Sequence, residues 1–132
     1  MAIAVKFDLV SPERLLTSIQ AIEVQLPGAD GDMTVMEGHA PTITNLRPGI
    51  VQAILPNGTE AFAVTGGFAE IGPKSVSVLA EQAVLLADVT AEMLDEMVAV
   101  AREAASASLP ENRDAADKAV EDFLALRLAV GQ

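Results

Sequence analysis

Hydrophobic and polar residues alternate along the first two thirds of the chain. In the segment IAVKFDLV, every second residue from Ile3 to Leu9 is apolar, and Lys6 and Asp8 fall between them. A period of two is typical of β-strands, because successive side chains of a strand point to opposite faces of a sheet. The same alternation recurs in AIEVQL, TEAFAV and SVSVL. It predicts inward-facing side chains at Ile3, Val5, Phe7, Leu9, Ile22, Val24, Leu26, Phe62, Val64, Val76 and Val78.

Turn-forming residue pairs interrupt these segments at short intervals. Asn57-Gly58 lies between two alternating segments and favours a tight hairpin, because both residue types tolerate positive φ. Gly66-Gly67 predicts a bulge or a close approach of two backbones. The remaining pairs are Pro27-Gly28, Pro48-Gly49 and Gly72-Pro73. Short strands with turns at this spacing are typical of sandwiches and barrels, so we predict an all-β sandwich of about ten strands.

The spacing of apolar residues becomes helical near Asp88. Eight of the nine Gly and six of the seven Pro lie before residue 75, whereas residues 88–132 contain eleven Ala. Thr90 is the predicted N-cap of a first helix, and Pro110 interrupts the pattern before a second. The apolar stripes comprise Leu94, Met97, Val98, Ala101 and Ala105, then Ala116, Ala119, Val120, Phe123 and Leu124. We predict a sandwich domain over residues 1–87 and an antiparallel two-helix hairpin over residues 88–132.

The charge and composition exclude several classes of function. The net charge is −11, and only eight Lys and Arg are present, scattered singly. A nucleic-acid-binding protein needs a basic surface, so this class is excluded, and direct binding to an anionic membrane is disfavoured. The absence of cysteine excludes disulfides, thiol catalysis and thiolate metal sites. The start of the chain lacks a signal-peptide pattern, and no apolar segment approaches the roughly 20 residues that span a bilayer, so we expect an unexported soluble chain.

Two polar turns are the candidates for chemistry. His39, the only histidine, lies in the segment MEGHAP, where only Glu37 is close in sequence to assist it. A general base needs an orienting partner and a metal site needs several ligands, so we interpret this segment as a shape or contact element. Asp30 and Asp32 flank Gly31, but the rest of a calcium-loop pattern is missing, which favours a solvated turn or a contact loop. We therefore expect no catalytic residue, metal or cofactor, and we interpret the chain as a binding or structural module.

Several short motifs occur in a fixed order along the chain. They are LVSPER at residues 9–14, Leu26-Pro27-Gly28, Gly31-Asp32, GHAP at residues 38–41, Arg47-Pro48-Gly49, Gly66-Gly67-Phe68 and Ala80-Glu81. With the sandwich-then-hairpin layout, this set resembles the epsilon subunit of F-type ATP synthases, whose mitochondrial counterpart is called delta. The resemblance implies a ten-stranded sandwich followed by two helices. It also implies a non-catalytic rotor subunit at the cytoplasmic face of the bacterial inner membrane, held there only through its complex.

The resemblance also implies contact residues for the partners of that subunit. The segment that resembles the loop approaching the polar loops of the c-ring comprises Gly28, Ala29, Asp30, Gly31 and Asp32. The segment that resembles the contact with the gamma shaft includes Met36, Gly38, His39, Ala40 and Pro41. This chain departs from the family pattern at Thr34, where a glycine is usual, and at Glu37, where a proline is usual.

In the family, the hairpin can contact the alpha and beta subunits and inhibit ATP hydrolysis. Forms that bind nucleotide carry Asp-x-x-Arg-Ala in the first helix, whereas this chain has Ala99 and Glu103 at the first and last of those positions. We therefore expect no bound ATP, and weak or absent inhibition because the second helix is acidic. The alternative hypothesis is a small-ligand-binding β-sandwich with a helical lid, which predicts a closed apolar pocket and no gamma-type partner.

Overall fold

Ten strands are followed by two helices in the computed structural model, which describes residues 4–130. The strands are β1 Val5–Ser11, β2 Arg14–Ala21, β3 Glu23–Gly28, β4 Gly31–Met36, β5 Thr42–Leu46, β6 Gly49–Leu55, β7 Gly58–Val64, β8 Gly67–Ile71, β9 Ser75–Ala80 and β10 Ala83–Leu85. The helices are α1 Ala91–Ser106 and α2 Arg113–Val130, preceded by single 3-10 turns at Leu86–Asp88 and Pro110–Asn112. The predicted sandwich followed by a helical hairpin is confirmed.

The strands form one curled sheet that closes around the core. Nine strands follow the hydrogen-bonded order β10-β7-β6-β3-β5-β8-β9-β1-β2, and β4 pairs with β3 beside this path. Within residues 4–130, β1 and β9 are the parallel neighbours, and the other pairs are antiparallel. The curl brings β2 into contact with β6, so the two halves of the sheet face each other across the core.

The alternating pattern located most of the core. Eight predicted side chains are essentially inaccessible to solvent: Val5, Phe7, Leu9, Val24, Leu26, Val64, Val76 and Val78. Val35 and Val51 are equally buried and were not among the predicted positions. Phe62 is also buried, as expected. Ile3 lies outside the described residues. The prediction for Ile22 is wrong: this side chain is 38% exposed, because Ile22 falls between β2 and β3 and the pleat of neither strand sets its direction.

The hairpin predicted at Asn57-Gly58 exists, but its turn begins one residue earlier than the motif suggests. Leu55 pairs with Gly58, so Pro56 and Asn57 are the two turn residues. Proline fixes φ at a negative value, and Asn57 also has negative φ, so only Gly58 uses positive φ, at 153°. Gly66-Gly67 does mark a close backbone approach, since a Cβ atom on Gly67 would lie 2.1 Å from the carbonyl oxygen of Leu79.

The two helices pack against each other and against β7. The Thr90 hydroxyl accepts a hydrogen bond from the Met93 backbone N–H at 3.2 Å, which confirms the predicted N-cap. The predicted stripe of α1 is buried except for the half-buried Met97. In α2 the buried residue is Leu126, which the predicted stripe omitted, and the five predicted residues are only half-buried. Neither helix of residues 4–130 has the length and hydropathy to cross a membrane.

Candidate functional site

The two segments expected to contact partners lie at opposite ends of β4. Residues 28–32 include the turn that joins β3 to β4, and residues 36–41 lead from β4 to β5. A strand rises about 3.3 Å per residue, so the two ends of β4 are about 17 Å apart. Partners bound at these two places would therefore be separated by one short, hydrogen-bonded strand.

The β3–β4 turn is shaped by its two glycines. Gly28 pairs with Gly31, which leaves Ala29 and Asp30 as the two turn residues. Gly31 has a φ of 149°, a conformation that favours glycine. A Cβ atom on Gly28 would lie 2.6 Å from the carbonyl oxygen of Gly31, so a larger residue would force the turn open. The sequence Gly-Ala-Asp-Gly therefore folds into a tight turn with Asp30 at its tip.

Arg47 fixes this turn to the adjacent end of β5. Its Nη1 atom donates a hydrogen bond to the Gly28 carbonyl oxygen at 2.5 Å, and its Nη2 atom forms an ion pair with Asp32. Its backbone N–H donates to the Pro27 carbonyl oxygen at 3.0 Å. Arg47 was not predicted as a site residue, because its partners lie 15 and 19 positions away and no periodic pattern connects them.

The two aspartates of the turn differ in their surroundings. Asp32 is paired with Arg47, although its side chain is still 82% exposed. Asp30 is exposed, and it has no hydrogen bond or ion pair with any residue between 4 and 130. The same part of the chain contains no group of three or more potential metal ligands. Of the two carboxylates that the turn exposes to solvent, Asp32 is therefore paired with a positive charge and Asp30 is not.

The segment from Met36 to Pro41 forms a bend held by backbone hydrogen bonds. Gly38 has a φ of 88°, and its N–H donates to the Pro73 carbonyl oxygen at 2.7 Å. The half-buried His39 ring lies with its Nδ1 atom 2.7 Å from the carbonyl oxygen of its own neighbour, Ala40. No carboxylate of the described residues forms a hydrogen bond or ion pair with this ring, so none of them orients it as a general base would require.

Exposed apolar residues continue from this bend across the outer face of the sheet. Met36 is 53% exposed, and Ile43 is 72% exposed. On the same outer face, register partners form an apolar row across β8, β9, β1 and β2, made of Phe68, Leu79, Val10 and Leu15. This outer row was not predicted, although adjacent apolar residues such as Val78-Leu79 indicate a strand with apolar side chains on both faces.

An open groove lies between this outer face and α1. Phe68 and Leu79 line one wall, and Met93, Met97 and Val100 line the other. The groove is open to solvent, and the sandwich interior is occupied by the buried side chains of the core. The small-ligand alternative requires a closed apolar pocket, so the geometry of the described residues does not support it.

Comparison with known proteins gives consistent results. Residues 4–86, which contain all ten strands, match the family described as ATP synthase, Delta/Epsilon chain, beta-sandwich domain. The ATP synthase epsilon chain of Cereibacter sphaeroides (strain ATCC 17025 / ATH 2.4.3) is 60% identical over 131 residues, which cover 99% of each chain. That of Rhodobacter capsulatus is 51% identical over 126 residues, which cover 96% of each chain.

Solved structures share the fold at lower sequence identity. One match is to a chain of the mitochondrial ATP synthase OSCP/F1/c-ring of Euglena gracilis. Its TM-score is 0.76 and its identity is 23%, and the match covers 98% of this chain and 82% of the other. Another match is to a chain of the central stalk/c-ring of the Tetrahymena thermophila mitochondrial ATP synthase. Its TM-score is 0.72 and its identity is 11%, and the match covers 97% of this chain and 96% of the other. On the family match and the full-length relatives, this chain belongs to the delta/epsilon chain family of ATP synthases.

Proposed function

We propose that this chain is a non-catalytic rotor subunit of a bacterial F-type ATP synthase, and that it couples the c-ring to the gamma shaft. The observation that carries the proposal is the placement of two exposed contact turns at opposite ends of the six-residue strand β4. The full-length similarity to ATP synthase epsilon chains supplies the identity of the complex. A rigid spacer between two partners is what transmission of torque through this subunit requires.

Gamma binds, in this proposal, over the bend at Met36–Pro41 and the neighbouring outer face. Exposed methionine and aliphatic side chains are common in the centre of protein interfaces, and Met36 and Ile43 supply them here. A stable interface buries about 800 Å² on each partner, which is more than one bend offers. The apolar row that ends at Phe68 and Leu15 extends the surface on the same face.

The c-ring contact is assigned to the turn at residues 28–32. Its exposed tip carries Asp30, and polar loops of a membrane ring are suitable partners for an exposed carboxylate. The net charge of −11 disfavours direct adsorption to anionic lipid, so we place the chain at the cytoplasmic face of the inner membrane through its partners alone. In this proposal the exposed face of the hairpin contacts the alpha and beta subunits, with weak or absent inhibition of ATP hydrolysis and no bound nucleotide.

Copurification tests the gamma assignment. The full chain is co-expressed with its gamma subunit, and the expected result is a stable one-to-one complex on size exclusion. Ile43→Glu should weaken this complex, because it places a charge in the apolar surface. Leu109→Glu is the matched control, since Leu109 is also an exposed aliphatic residue, at 60% against 72% for Ile43, but lies between the two helices and does not line the groove beside Phe68. A chain that elutes alone in the presence of folded gamma would contradict the proposal.

A further inference from the structure

We propose that Arg47 is a positioning residue that gives the two aspartates of the β3–β4 turn different roles. Asp32 pairs with Arg47 and shapes the turn, while Asp30 is the carboxylate that meets a basic side chain of the partner. The identity of that partner rests on the proposed function. The effect of Arg47 on the turn is a property of the chain alone, so the two can be tested separately.

The guanidinium of Arg47 bridges the two strands that the turn connects. Gly28 ends β3 and Asp32 lies near the start of β4, in the last two register pairs before the turn. Nη1 donates to the Gly28 carbonyl oxygen at 2.5 Å while Nη2 pairs with the Asp32 carboxylate. Arginine offers two parallel donors in one rigid plane, and a lysine ammonium does not reproduce this fork. The Arg47 side chain therefore links the end of β3 to the start of β4 beside the turn.

Arg47 is itself held in place by the sheet. Its side chain is only 28% exposed, and its backbone N–H donates to Pro27. Two residues later, Gly49 packs so closely on the Pro27 ring that a Cβ atom there would lie 2.6 Å from the Pro27 Cβ atom. The Ala29 N–H also donates to the Asn45 carbonyl oxygen at 2.8 Å, on the strand that leads to Arg47. The turn is thus oriented by a fixed part of the sandwich.

The ion pair leaves the tip with one uncompensated charge. Arg47 offsets the charge of Asp32, and no residue between 4 and 130 pairs with Asp30. A carboxylate at the tip of a rigid turn can reach a Lys or Arg on a facing loop without rearrangement. Such a contact near the rim of an interface changes the association rate and its salt dependence more than it changes the total affinity.

Amide hydrogen exchange on the isolated full chain tests the role of Arg47. In Arg47→Met, the exchange rate of the Ala29 amide should rise about threefold to fivefold, because this is the size of effect expected when an exposed ion pair is lost. Arg47→Lys should give a smaller rise. Adding Asp32→Asn to Arg47→Met should give no further rise, and Asp30→Asn should leave exchange unchanged. Unchanged exchange in Arg47→Met, or an equal rise in Asp30→Asn, would overturn the assignment.

Binding of the gamma complex to purified, detergent-solubilised c-ring tests the role of Asp30. Asp30→Asn should weaken binding about threefold to tenfold at low salt and reduce its salt dependence. The double variant Arg47→Met/Asp32→Asn removes one charge of each sign and should keep the salt dependence. Asp114→Asn, at the start of α2, is the charge-matched control and should bind like the wild type.

The outcomes separate the two proposals. If wild-type complex binds the ring and Asp30→Asn keeps the full salt dependence, the role given to Asp30 is overturned. If the double variant loses the salt dependence instead, the same conclusion follows, because Asp32 would then be the contacting carboxylate. If wild-type complex does not bind the ring at all, the proposed function and the role of Asp30 both fail, and the amide-exchange result alone decides the role of Arg47.

Discussion

Leu94 of α1 and Leu126 of α2 are buried together against Ala63 of β7. This cluster is separate from the large core inside the sandwich, and its other members are only partly buried: Ile50, Val89, Met97, Phe123 and Val130. The hairpin is also joined internally by an ion pair between Arg127 Nη1 and Asp95 Oδ1 at 2.9 Å. The hairpin therefore contacts the sandwich through a small apolar cluster that shares no buried residue with the sandwich core.

We expect Leu126→Ala to loosen the hairpin from the sandwich without unfolding the sandwich. Leu126 is 3% exposed, and truncation of a buried leucine costs about 2–5 kcal/mol. We expect a value near the lower end, because the half-buried surroundings can relax. Amide exchange should rise along α1 and α2 by a factor corresponding to about 2 kcal/mol, with β1 and β9 still protected.

Leu109→Ala is the matched control for this experiment. Leu109 lies between the helices and is 60% exposed, so the same substitution should change stability by no more than about 0.5 kcal/mol. Equal effects of the two variants, or loss of protection in β1 and β9 of Leu126→Ala, would show that the hairpin and sandwich share one cooperative core.

A chain cut after Ala87 should fold by itself. The ten strands end at Leu85, and the large core cluster lies entirely within them. The cut exposes Ala63 and Ile50 but leaves the sandwich interior filled. Thermal unfolding followed by circular dichroism should show one cooperative transition, at a lower midpoint than the full chain. A fragment without a cooperative transition would mean that the sandwich depends on the hairpin, and the predicted division at residue 87 would be wrong.

Gly67→Ala should destabilise the sandwich far more than Gly58→Ala. Both glycines have positive φ, at 134° and 153° respectively. A Cβ atom on Gly67 would overlap the Leu79 carbonyl oxygen, whereas nothing lies within 4 Å of one on Gly58. Gly58→Ala should cost only the backbone strain of about 1–2 kcal/mol. Gly67→Ala should add a steric cost, so the loss in free energy of unfolding, measured by urea unfolding, should exceed about 3 kcal/mol. Similar values for the two variants would contradict the close approach.

His39→Ala should leave ATP synthesis by the assembled complex largely intact. The ring makes its one hydrogen bond within residues 4–130 to its own neighbour, so gamma binding should change by no more than about 1 kcal/mol, the value of one polar contact. Gly38→Ala is the informative comparison, because the φ of 88° strains any other residue and should distort the bend. Loss of synthesis by several orders of magnitude in a normally assembled His39→Ala complex would restore the catalytic interpretation.

Sequence patterns predicted the strands because each strand turns every second side chain toward the core. The resulting alternation of apolar and polar residues can be recognised from a few adjacent positions. The errors occurred at the ends of elements, where the period of the pattern no longer sets the direction of a side chain. Pro56 moves the turn away from Asn57-Gly58, and Ile22 lies between strands. Leu126 was missed because the predicted stripe ended at Leu124, although Leu126 lies three residues after Phe123, at the next helical position of the same face.

The candidate site was less accessible to sequence analysis than the fold. Its two turns were located by motif and resemblance, and the structure places them at opposite ends of β4. Arg47 was noted only as part of an Arg-Pro-Gly motif, because its contacts with Gly28 and Asp32 depend on how β5 lies beside the turn. Long-range polar contacts of this kind have no period, so only coordinates reveal them.

The cations of α2 are already engaged in ion pairs within the hairpin. Arg113 pairs with Asp117 at 3.3 Å, and Lys118 pairs with Asp122 at 2.5 Å. Arg127 pairs with Asp95 of α1. Inhibition in the family, as the resemblance implies, uses basic helices against an acidic loop of the beta subunit. Residues 112–132 carry these three cations against four acids, Asp114, Asp117, Glu121 and Asp122, a net charge of −1.

Deletion of Thr90 to Gln132 in the assembled enzyme should therefore raise ATP hydrolysis by less than tenfold. Insertion of this hairpin beside an acidic surface would gain no net electrostatic attraction, and it would also separate the Leu94–Leu126 cluster from Ala63. The measurement is steady-state hydrolysis by complexes with and without the deletion, at matched subunit stoichiometry. A rise of tenfold or more corresponds to about 1.4 kcal/mol of lost restraint and would show that apolar docking of the hairpin inhibits hydrolysis despite its charge.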